Sequence, residues 1–140
     1  MRYAGLPEKG VVYTREEVVE SCLRLADFSV SERILSMRTL DVGCGYGQFI
    51  GKVAECIVQA CKNAGYTRRQ CTSLLVRNLR GVEINPKTAE HARKVVRETV
   101  SEQYPTSSKS HAWLSKIVIE ADYLSDDVSD KLGGKFDFIT

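Results

Sequence analysis

The chain has 140 residues, of which 43% are hydrophobic and 27% charged, and its formal net charge at pH 7 is +2. A chain of this length fits one globular domain or part of one, and the composition supports an ordinary hydrophobic core. So small a net charge does not by itself indicate nucleic-acid binding. The sequence shows no signal peptide and no apolar run of about 18 residues, so we expect a soluble, cytoplasmic protein that does not enter a membrane.

Charged residues and cysteines are unevenly distributed along the chain. Residues 62–80 contain five basic and no acidic side chains, whereas residues 120–130 contain five acidic ones. None of the five cysteines belongs to a C-x-x-C pair, and only two histidines are present, so the sequence does not indicate a metal site. We interpret the cysteines as reduced thiols, four of which fall on predicted apolar faces: Cys22, Cys56, Cys61 and Cys71.

Local patterns predict two helices before the first strand. Residues 1–13 form a leader whose structure the sequence does not indicate. Thr14–Glu17 and Ser29–Glu32 both match the capping box, in which an N-cap Ser or Thr is followed three positions later by Glu. We therefore predict one helix that starts at Thr14 and a shorter one that starts at Ser29. The predicted apolar face of the first helix consists of Val19, Cys22, Leu23 and Ala26.

Beyond residue 37, predicted strands and helices alternate. Their boundaries follow from the helical spacing of apolar residues, from the C-cap Gly65, and from Asn85-Pro86, a pair that typically begins a helix. This alternation predicts an α/β fold with a doubly wound parallel sheet. The predicted elements are strands at 38–42, 80–84, 113–121 and 136–140, helices at 49–64, 67–78 and from Asn85 onward, a polar loop at 101–110, and a loop with about one helical turn at 122–134.

Residues 40–50 combine a short strand, a glycine turn and the start of a helix. Gly43, Gly45 and Gly47 occupy alternate positions, and glycine both adopts positive φ and lets a ligand approach the backbone. The following helix presents N–H groups at the positive end of its dipole, so the pattern predicts a cofactor cradle. A nicotinamide or flavin site is the less favoured alternative, because its G-x-G-x-x-G fingerprint has the third glycine one position later and does not require Asp41.

The segment Asp41–Gly47, which reads Asp-x-Gly-x-Gly-x-Gly, resembles motif I of the S-adenosylmethionine-dependent methyltransferases. The segment Gly81–Pro86 resembles the one that follows in this family, although a helical insertion at about 65–79 separates the two here. The resemblance covers residues 13–139 apart from the insertion. It implies a Rossmann-like class I methyltransferase fold, with S-adenosyl-L-methionine as the cofactor.

The resemblance also implies roles for individual residues. Asp41 would lie near the ammonium group of the cofactor, and the backbone of Gly43–Gly47, including Cys44, would lie against it. Glu83 would accept hydrogen bonds from the two ribose hydroxyls. Asp122 would accept one from the adenine amino group, and the adenine ring would pack against two further side chains, Ile84 and Tyr123.

Tyr13 and Thr14 precede motif I by two predicted helices. This arrangement resembles motif X of the N6-adenine DNA methyltransferases of type II restriction–modification systems, in which the threonine contacts the cofactor carboxylate. Arg15 stands where that subgroup usually has proline. A helix N-terminus is a suitable anion site. Structural roles stay open, because Thr14 can be an N-cap alone, Ile84 a core residue and Asp122 the cap of a turn.

The chain lacks the catalytic motif of that subgroup, in which the fourth strand leads directly into Asn-Pro-Pro-Tyr. Asn85-Pro86 follows the second strand instead, and we explain it as a helix start. We therefore predict no catalytic residue and an incomplete fold with about four of seven strands. In this interpretation residues 1–140 are the cofactor-binding part of a methyltransferase domain, inactive alone, with N-terminal helices at 1–37 and a βα core at 38–140.

The expected partners follow from this interpretation. DNA would be bound through a missing C-terminal part, and the exposed edge strand 136–140 would favour self-association or completion by another polypeptide. The basic insertion is predicted at the opposite edge of the sheet from the cofactor, because the helix at 49–64 runs back from the carboxyl ends of the strands. Two alternatives remain: a methyltransferase acting on RNA, protein or a small molecule, and a non-catalytic cofactor-binding or interaction module.

Overall fold

The computed structural model describes residues 13–140, so the predicted leader lies outside the described residues except for Tyr13. Within this range the helices are α1 (Glu16–Leu25), α2 (Gln48–Asn63), α3 (Arg68–Asn78), α4 (Pro86–Gln103), α5 (Leu114–Ile117) and α6 (Val128–Leu132). A 3₁₀-helix spans Glu32–Ser36. The strands are β1 (Thr39–Val42), β2 (Leu79–Glu83), β3 (Val118–Glu120) and β4 (Phe138–Ile139).

The four strands form one parallel sheet in the order β3-β2-β1-β4. The chain moves outward from β1 to β2 and β3, and then returns to the other side of β1 with β4. The strand order therefore reverses between β1 and β4, and ligands of open α/β sheets bind at the carboxyl ends of the strands beside such a reversal. The predicted α/β class and parallel sheet are confirmed, and the topology is compatible with a Rossmann-like fold.

Helices cover the two faces of the sheet unequally. The larger core lies between the sheet and the layer of α2 and α4, and its fully buried members include Ile50, Ile57 and Val96. The smaller core lies on the other face, where Leu40 and Val82 pack against Val128 and Leu132 of α6. The alternation of side chains along a strand explains this division, since adjacent strand residues point to opposite faces. No helix of the described range is both long and apolar enough to cross a membrane.

The two capping boxes predicted near the N-terminus are wrong. The N-cap of α1 is Arg15, one residue after the predicted Thr14. The N-cap of the 3₁₀-helix is Ser31 and not the predicted Ser29. Neither N-cap side chain makes a capping hydrogen bond. Helix α1 is joined to α2 instead of being capped by its own sequence: Lys52 of α2 pairs with Glu16 and Glu20, and Val19 is buried. A true capping box occurs at α3, where the Thr67 and Gln70 side chains cap each other's backbone.

The predicted third strand is only partly correct. Residues Leu114–Ile117 form a short helix that buries Leu114 and Ile117, and β3 is limited to Val118–Glu120. A short apolar run does not by itself distinguish a buried helical turn from a strand. The fourth strand is likewise shorter than predicted, and α4 extends to Gln103, into the predicted polar loop. Helix α1 also differs from its predicted face, because Cys22 and Ala26 are exposed.

Arg38 joins the α6–β4 segment to the amino end of β1. Its guanidinium donates hydrogen bonds to the carbonyls of Gly133 at 2.7 Å and Lys135 at 2.9 Å, and lies 4.5 Å from the ring centroid of Phe136. Its backbone N–H donates to the Asp137 carboxylate at 2.8 Å. The five N–H donors of one guanidinium therefore satisfy several carbonyls at and after the end of α6.

Replacement of Arg38 by alanine should lower the free energy of unfolding by about 1–3 kcal/mol, because several charge-assisted hydrogen bonds are lost together. Urea unfolding followed by circular dichroism measures this change. The matched control is Arg33→Ala, which removes an exposed ion pair with Asp27 and should have an effect of about 0.5 kcal/mol or less. Equal effects of the two substitutions would contradict the role assigned to Arg38.

Candidate cofactor-binding site

The glycine turn follows β1 and adopts backbone conformations that favour glycine. The φ angles of Gly43, Gly45 and Gly47 are 68°, 54° and 96°, a region that other residues adopt only with strain. A Cβ atom at Gly43 would meet no atom within 4 Å, so its requirement for glycine is conformational. At Gly47 a Cβ atom would also lie 3.1 Å from the Cα atom of Ala92, so the turn packs closely against α4.

Strand β2 holds the first half of the turn. The Cys44 N–H donates to the carbonyl of Val82 at 2.9 Å. The Gly45 N–H donates to Oε2 of Glu83 at 2.9 Å, and the other carboxylate oxygen of Glu83 accepts from the Asn85 N–H at 2.9 Å. Glu83 thus connects the glycine turn to the start of α4. Each carboxylate oxygen has a second lone pair, so Glu83 can still accept hydrogen bonds from ligand hydroxyls.

Gly81 allows this close approach of the turn to β2. A Cβ atom at Gly81 would lie 2.6 Å from Cδ1 of Ile50 and 3.0 Å from Sγ of Cys44. Both side chains occupy the space that any larger residue at position 81 would need. Cys44 is buried there, and burial, followed by the nearby charges of Asp41 and Glu83, raises the pKa of its thiol. The side chain of Cys44 is therefore a neutral packing group, while its backbone N–H belongs to the turn.

Asp41 lies beneath the turn and connects β1 to α2. It is 5% exposed, and its Oδ2 atom accepts a hydrogen bond from the Ile50 N–H at 3.0 Å. Burial raises the pKa of Asp41 from 3.8 to about 6; the Thr140 hydroxyl and the Ile50 N–H act in the opposite direction, and Glu83 raises it further. The structure thus places Asp41 as a buried support of the turn and of the first residues of α2.

Residues after β2 and β3 form the other side of the site. The Ala121 N–H donates to the carbonyl of Glu83 at 3.1 Å, so Ile84 and Asp122 follow the ends of neighbouring strands. Ile84 is 65% exposed and Tyr123 39% exposed, so both side chains are accessible to a ligand at this edge. Oδ1 of Asp122 accepts from the Leu124 N–H at 2.9 Å, which fixes the turn that presents Tyr123.

Tyr13 and Thr14 lie elsewhere, beside the first turns of α2. They line a cavity of about 570 Å³ together with Gln48 and Gly51. Side chains of both charge signs, Lys52 and several glutamates among them, also line this cavity. Gln48 directly follows Gly47, so the cavity begins where the glycine turn ends. Of the predicted site residues, those after β1, β2 and β3 come together along the carboxyl edge of the sheet, and these two approach the turn from the α1 side.

Sequence reasoning missed two residues that shape the site. Gly81 begins the segment Gly81–Pro86, but its close packing against Ile50 has no local signal in the sequence. His91 of α4 contacts the carbonyl of Tyr46 at 3.0 Å through Nδ1, and its ring meets that of Tyr46 edge-on, with centroids 5.4 Å apart. No spacing rule predicts this contact. The edge-on arrangement, with an interplanar angle of 89°, depends on how α4 packs against the turn.

Between residues 13 and 140, no three or more His, Cys, Asp or Glu side chains are grouped so as to hold a metal ion.

Helix α3 leads directly into Leu79 at the amino end of β2, so its basic side chains lie toward the edge opposite the glycine turn. This position agrees with the topological expectation for the insertion.

Comparisons with known proteins do not assign the chain to a family. No protein-family model matches it, and neither a curated protein nor a solved structure is significantly similar to it.

The raised pKa of Asp41 predicts a specific pH dependence of stability. Between the ordinary pKa of 3.8 and the folded-state value of about 6, the folded state binds more protons than the unfolded state. Stability should therefore fall as the pH rises through this window. Asp41→Asn keeps an acceptor for the Ile50 N–H without the buried charge, and should raise the free energy of unfolding at pH 7 by about 2–3 kcal/mol.

Urea unfolding between pH 4 and pH 7 tests this expectation. The difference between wild type and Asp41→Asn should grow with pH and level off above pH 6. The exposed Asp130 supplies the control, since Asp130→Asn should show no such growth. If Asp41→Asn were less stable than wild type at pH 7, the buried charge would be stabilising and the assignment would be wrong.

Proposed function

We propose that the chain is the cofactor-binding part of an S-adenosyl-L-methionine-dependent methyltransferase with a Rossmann-like class I fold. The observation that carries the proposal is the 2.9 Å hydrogen bond between the Gly45 N–H and Glu83. It joins the glycine turn after β1 to the acidic residue that ends β2, the two features needed to hold a nucleoside and the group attached to it. The early third glycine, Gly47, favours this cofactor over a dinucleotide.

The residues at the carboxyl edge fit the parts of this cofactor. Glu83 would accept hydrogen bonds from the ribose hydroxyls, and Ile84 and Tyr123 would pack on the adenine ring, with Asp122 near its amino group. The glycine turn would lie against the sulfonium side. The amino-acid end carries both an ammonium and a carboxylate, which suits a cavity lined by Thr14, Tyr13 and groups of both charge signs. When bound, the cofactor supplies an electrophilic methyl group.

Within this class, N6-adenine DNA modification is the favoured subgroup. The support is the Tyr13-Thr14 segment, which resembles motif X and approaches the end of the glycine turn through the shared cavity with Gln48. The groups that contact the target base would come from a segment following β4, since β4 lies beside β1 at the reversal of strand order. Such an enzyme would work on DNA in the cytoplasm.

An RNA, protein or small-molecule methyltransferase is the alternative with the same cofactor site. The acidic segment 120–130, next to the adenine side, would suit a cationic acceptor better than a phosphodiester backbone. Methyl transfer from radiolabelled cofactor to adenine-containing DNA, RNA or a lysine-rich protein, tested with the full-length polypeptide, would distinguish these substrates. A chain that binds the cofactor and has no catalytic segment would be a non-catalytic module.

The edge of the sheet offers a second proposal, concerning partners. Strand β4 is an edge strand with Ile139 59% exposed, so it could pair with a second copy or with another polypeptide. Ile139→Lys should lower the fraction of dimer seen by sedimentation at micromolar concentrations, because a charge on the edge opposes pairing. The exposed Leu25 on α1 supplies the control, Leu25→Lys. A monomer at all concentrations would contradict pairing of β4 with a second copy.

Calorimetric titration with S-adenosyl-L-methionine tests the proposed cofactor. Glu83→Gln should weaken binding about tenfold or more, because an amide cannot accept from Gly45, Asn85 and both ribose hydroxyls at once. The control is Glu90→Gln on α4, where Glu90 is exposed and pairs with Arg93 at 3.4 Å. Equal affinities of the two variants would remove Glu83 from the site. A folded wild-type chain that binds NAD but not S-adenosyl-L-methionine would overturn the proposal.

A further inference from the structure

His91 is the one described side chain of α4 that hydrogen-bonds to the backbone of the glycine turn. It lies in the second turn of the helix and is half-buried. Its Nδ1 atom lies 3.0 Å from the carbonyl oxygen of Tyr46. A carbonyl can only accept, so Nδ1 must carry the hydrogen in this contact. The edge-on packing of the two rings, with Tyr46 only 5% exposed, fixes the imidazole from the side.

The hydrogen bonds of the turn differ among its peptide groups. The Gly47 N–H donates to the carbonyl of Cys44 at 2.9 Å and closes the turn. The Gly43–Cys44 peptide donates to the Val82 carbonyl, the Cys44–Gly45 peptide donates to Glu83, and the Tyr46–Gly47 peptide accepts from His91. Within the described part of the chain, these bonds leave the central Gly45–Tyr46 peptide unpaired with protein groups. That peptide is therefore the part of the turn most available to a ligand.

Glycine on both sides of Tyr46 makes such restraint necessary. Gly45 and Gly47 can each adopt many backbone conformations, so the turn loses much entropy when it takes the one conformation that a ligand requires. Glu83 restrains the turn from β2, and α4 restrains it through His91 and through the 3.1 Å approach of Ala92 to the Cβ position of Gly47. The two restraints come from consecutive elements that are joined at Asn85.

We propose that His91 is a positioning residue for the cofactor site. By holding the Tyr46 carbonyl, it keeps the glycine turn in its binding conformation before the cofactor arrives. The turn therefore loses less conformational entropy when the cofactor binds. This inference rests on the proposed function, and it adds a residue on α4 that makes no contact with the reacting groups. The hydrogen bond from Nδ1–H of His91, and not the contact of its ring with Tyr46, supports the turn from the α4 side.

Two substitutions separate the hydrogen bond from the ring. His91→Asn retains an N–H donor near the position of Nδ1 and removes the ring, whereas His91→Phe retains the ring contact with Tyr46 and removes the donor. In titrations with S-adenosyl-L-methionine, His91→Phe should weaken binding about five- to tenfold, and His91→Asn should stay within about twofold of wild type. His111→Phe, at the other histidine of the chain, serves as the control and should bind like wild type.

Amide hydrogen exchange provides a readout that does not need the cofactor. In His91→Phe, the Gly45 and Gly47 amides should exchange about fivefold faster or more, while the α3 amides exchange as in wild type. Imidazole ¹⁵N spectra of wild type should show the Nδ1–H tautomer for His91. These two measurements test the support of the turn even if wild type fails to bind S-adenosyl-L-methionine, a result that would overturn the proposed function.

Three outcomes would overturn the assignment of His91. One is unchanged binding and unchanged turn exchange in His91→Phe. Another is a loss in His91→Asn as large as that in His91→Phe, which would place the effect in the ring. The third is faster exchange throughout the chain, α3 included, which would make His91 a general contributor to stability.

Discussion

The parallel pairing of β1 with β2, at a register that sets Asp41 opposite Gly81, is the constraint on which the site depends. It brings the glycine turn and Glu83 to the same edge of the sheet. It also places a residue without a side chain under the turn, so that Ile50 and Cys44 can pack directly on β2. A shift of the register by one residue would put Val82 there instead and force the turn away from Glu83. The hydrogen bond between Gly45 and Glu83 therefore depends on this strand register.

Two carboxylates near the turn, Asp41 and Glu83, have different roles because their surroundings differ. Asp41 is enclosed by the core and accepts one backbone hydrogen bond, and burial raises its pKa to about 6. Glu83 is half-buried and accepts from two backbone N–H groups, one on each side of β2's end. Glu83 therefore keeps capacity for a ligand, whereas Asp41 serves the junction of β1 and α2. The charge of Asp41 would act on a bound ammonium through the turn rather than by contact.

Sequence reasoning identified the parts of the fold that are determined locally. The glycine turn, the helix start at Asn85-Pro86 and the end of α2 near Gly65 follow from backbone preferences of a few residues, and the structure contains all three. The start of α1 did not follow the local capping pattern, and the contacts of its first turns are with Lys52, from a helix distant in sequence. The short helix before β3 was missed because apolar residues suit either a buried helical turn or a strand.

For the site, residue types and order along the chain were enough to group the segments after β1, β2 and β3. Sequence could not reveal that Asp41 is buried or that both oxygens of Glu83 have backbone partners, since these depend on how the turn lies on β2. His91 was missed for the same reason. Its role needs α4 to pack against the turn, a contact that no interval in the sequence encodes.

The thin cover of α6 and β4 links local opening of the sheet to protonation. On the α6 face of the sheet, only a small cluster covers Leu40. Strand β4 is two residues long, and Arg38 connects the α6–β4 segment to β1. Such segments open at lower free energy than a central core. Asp41 points to the opposite face from Leu40, but β4 also covers the edge of β1, so its departure would admit water to the Asp41 carboxylate from that edge and return its pKa toward 3.8. Between pH 4 and pH 6 the open form would therefore release a proton, and a rise in pH would favour it while β2 and α4 continue to hold the glycine turn.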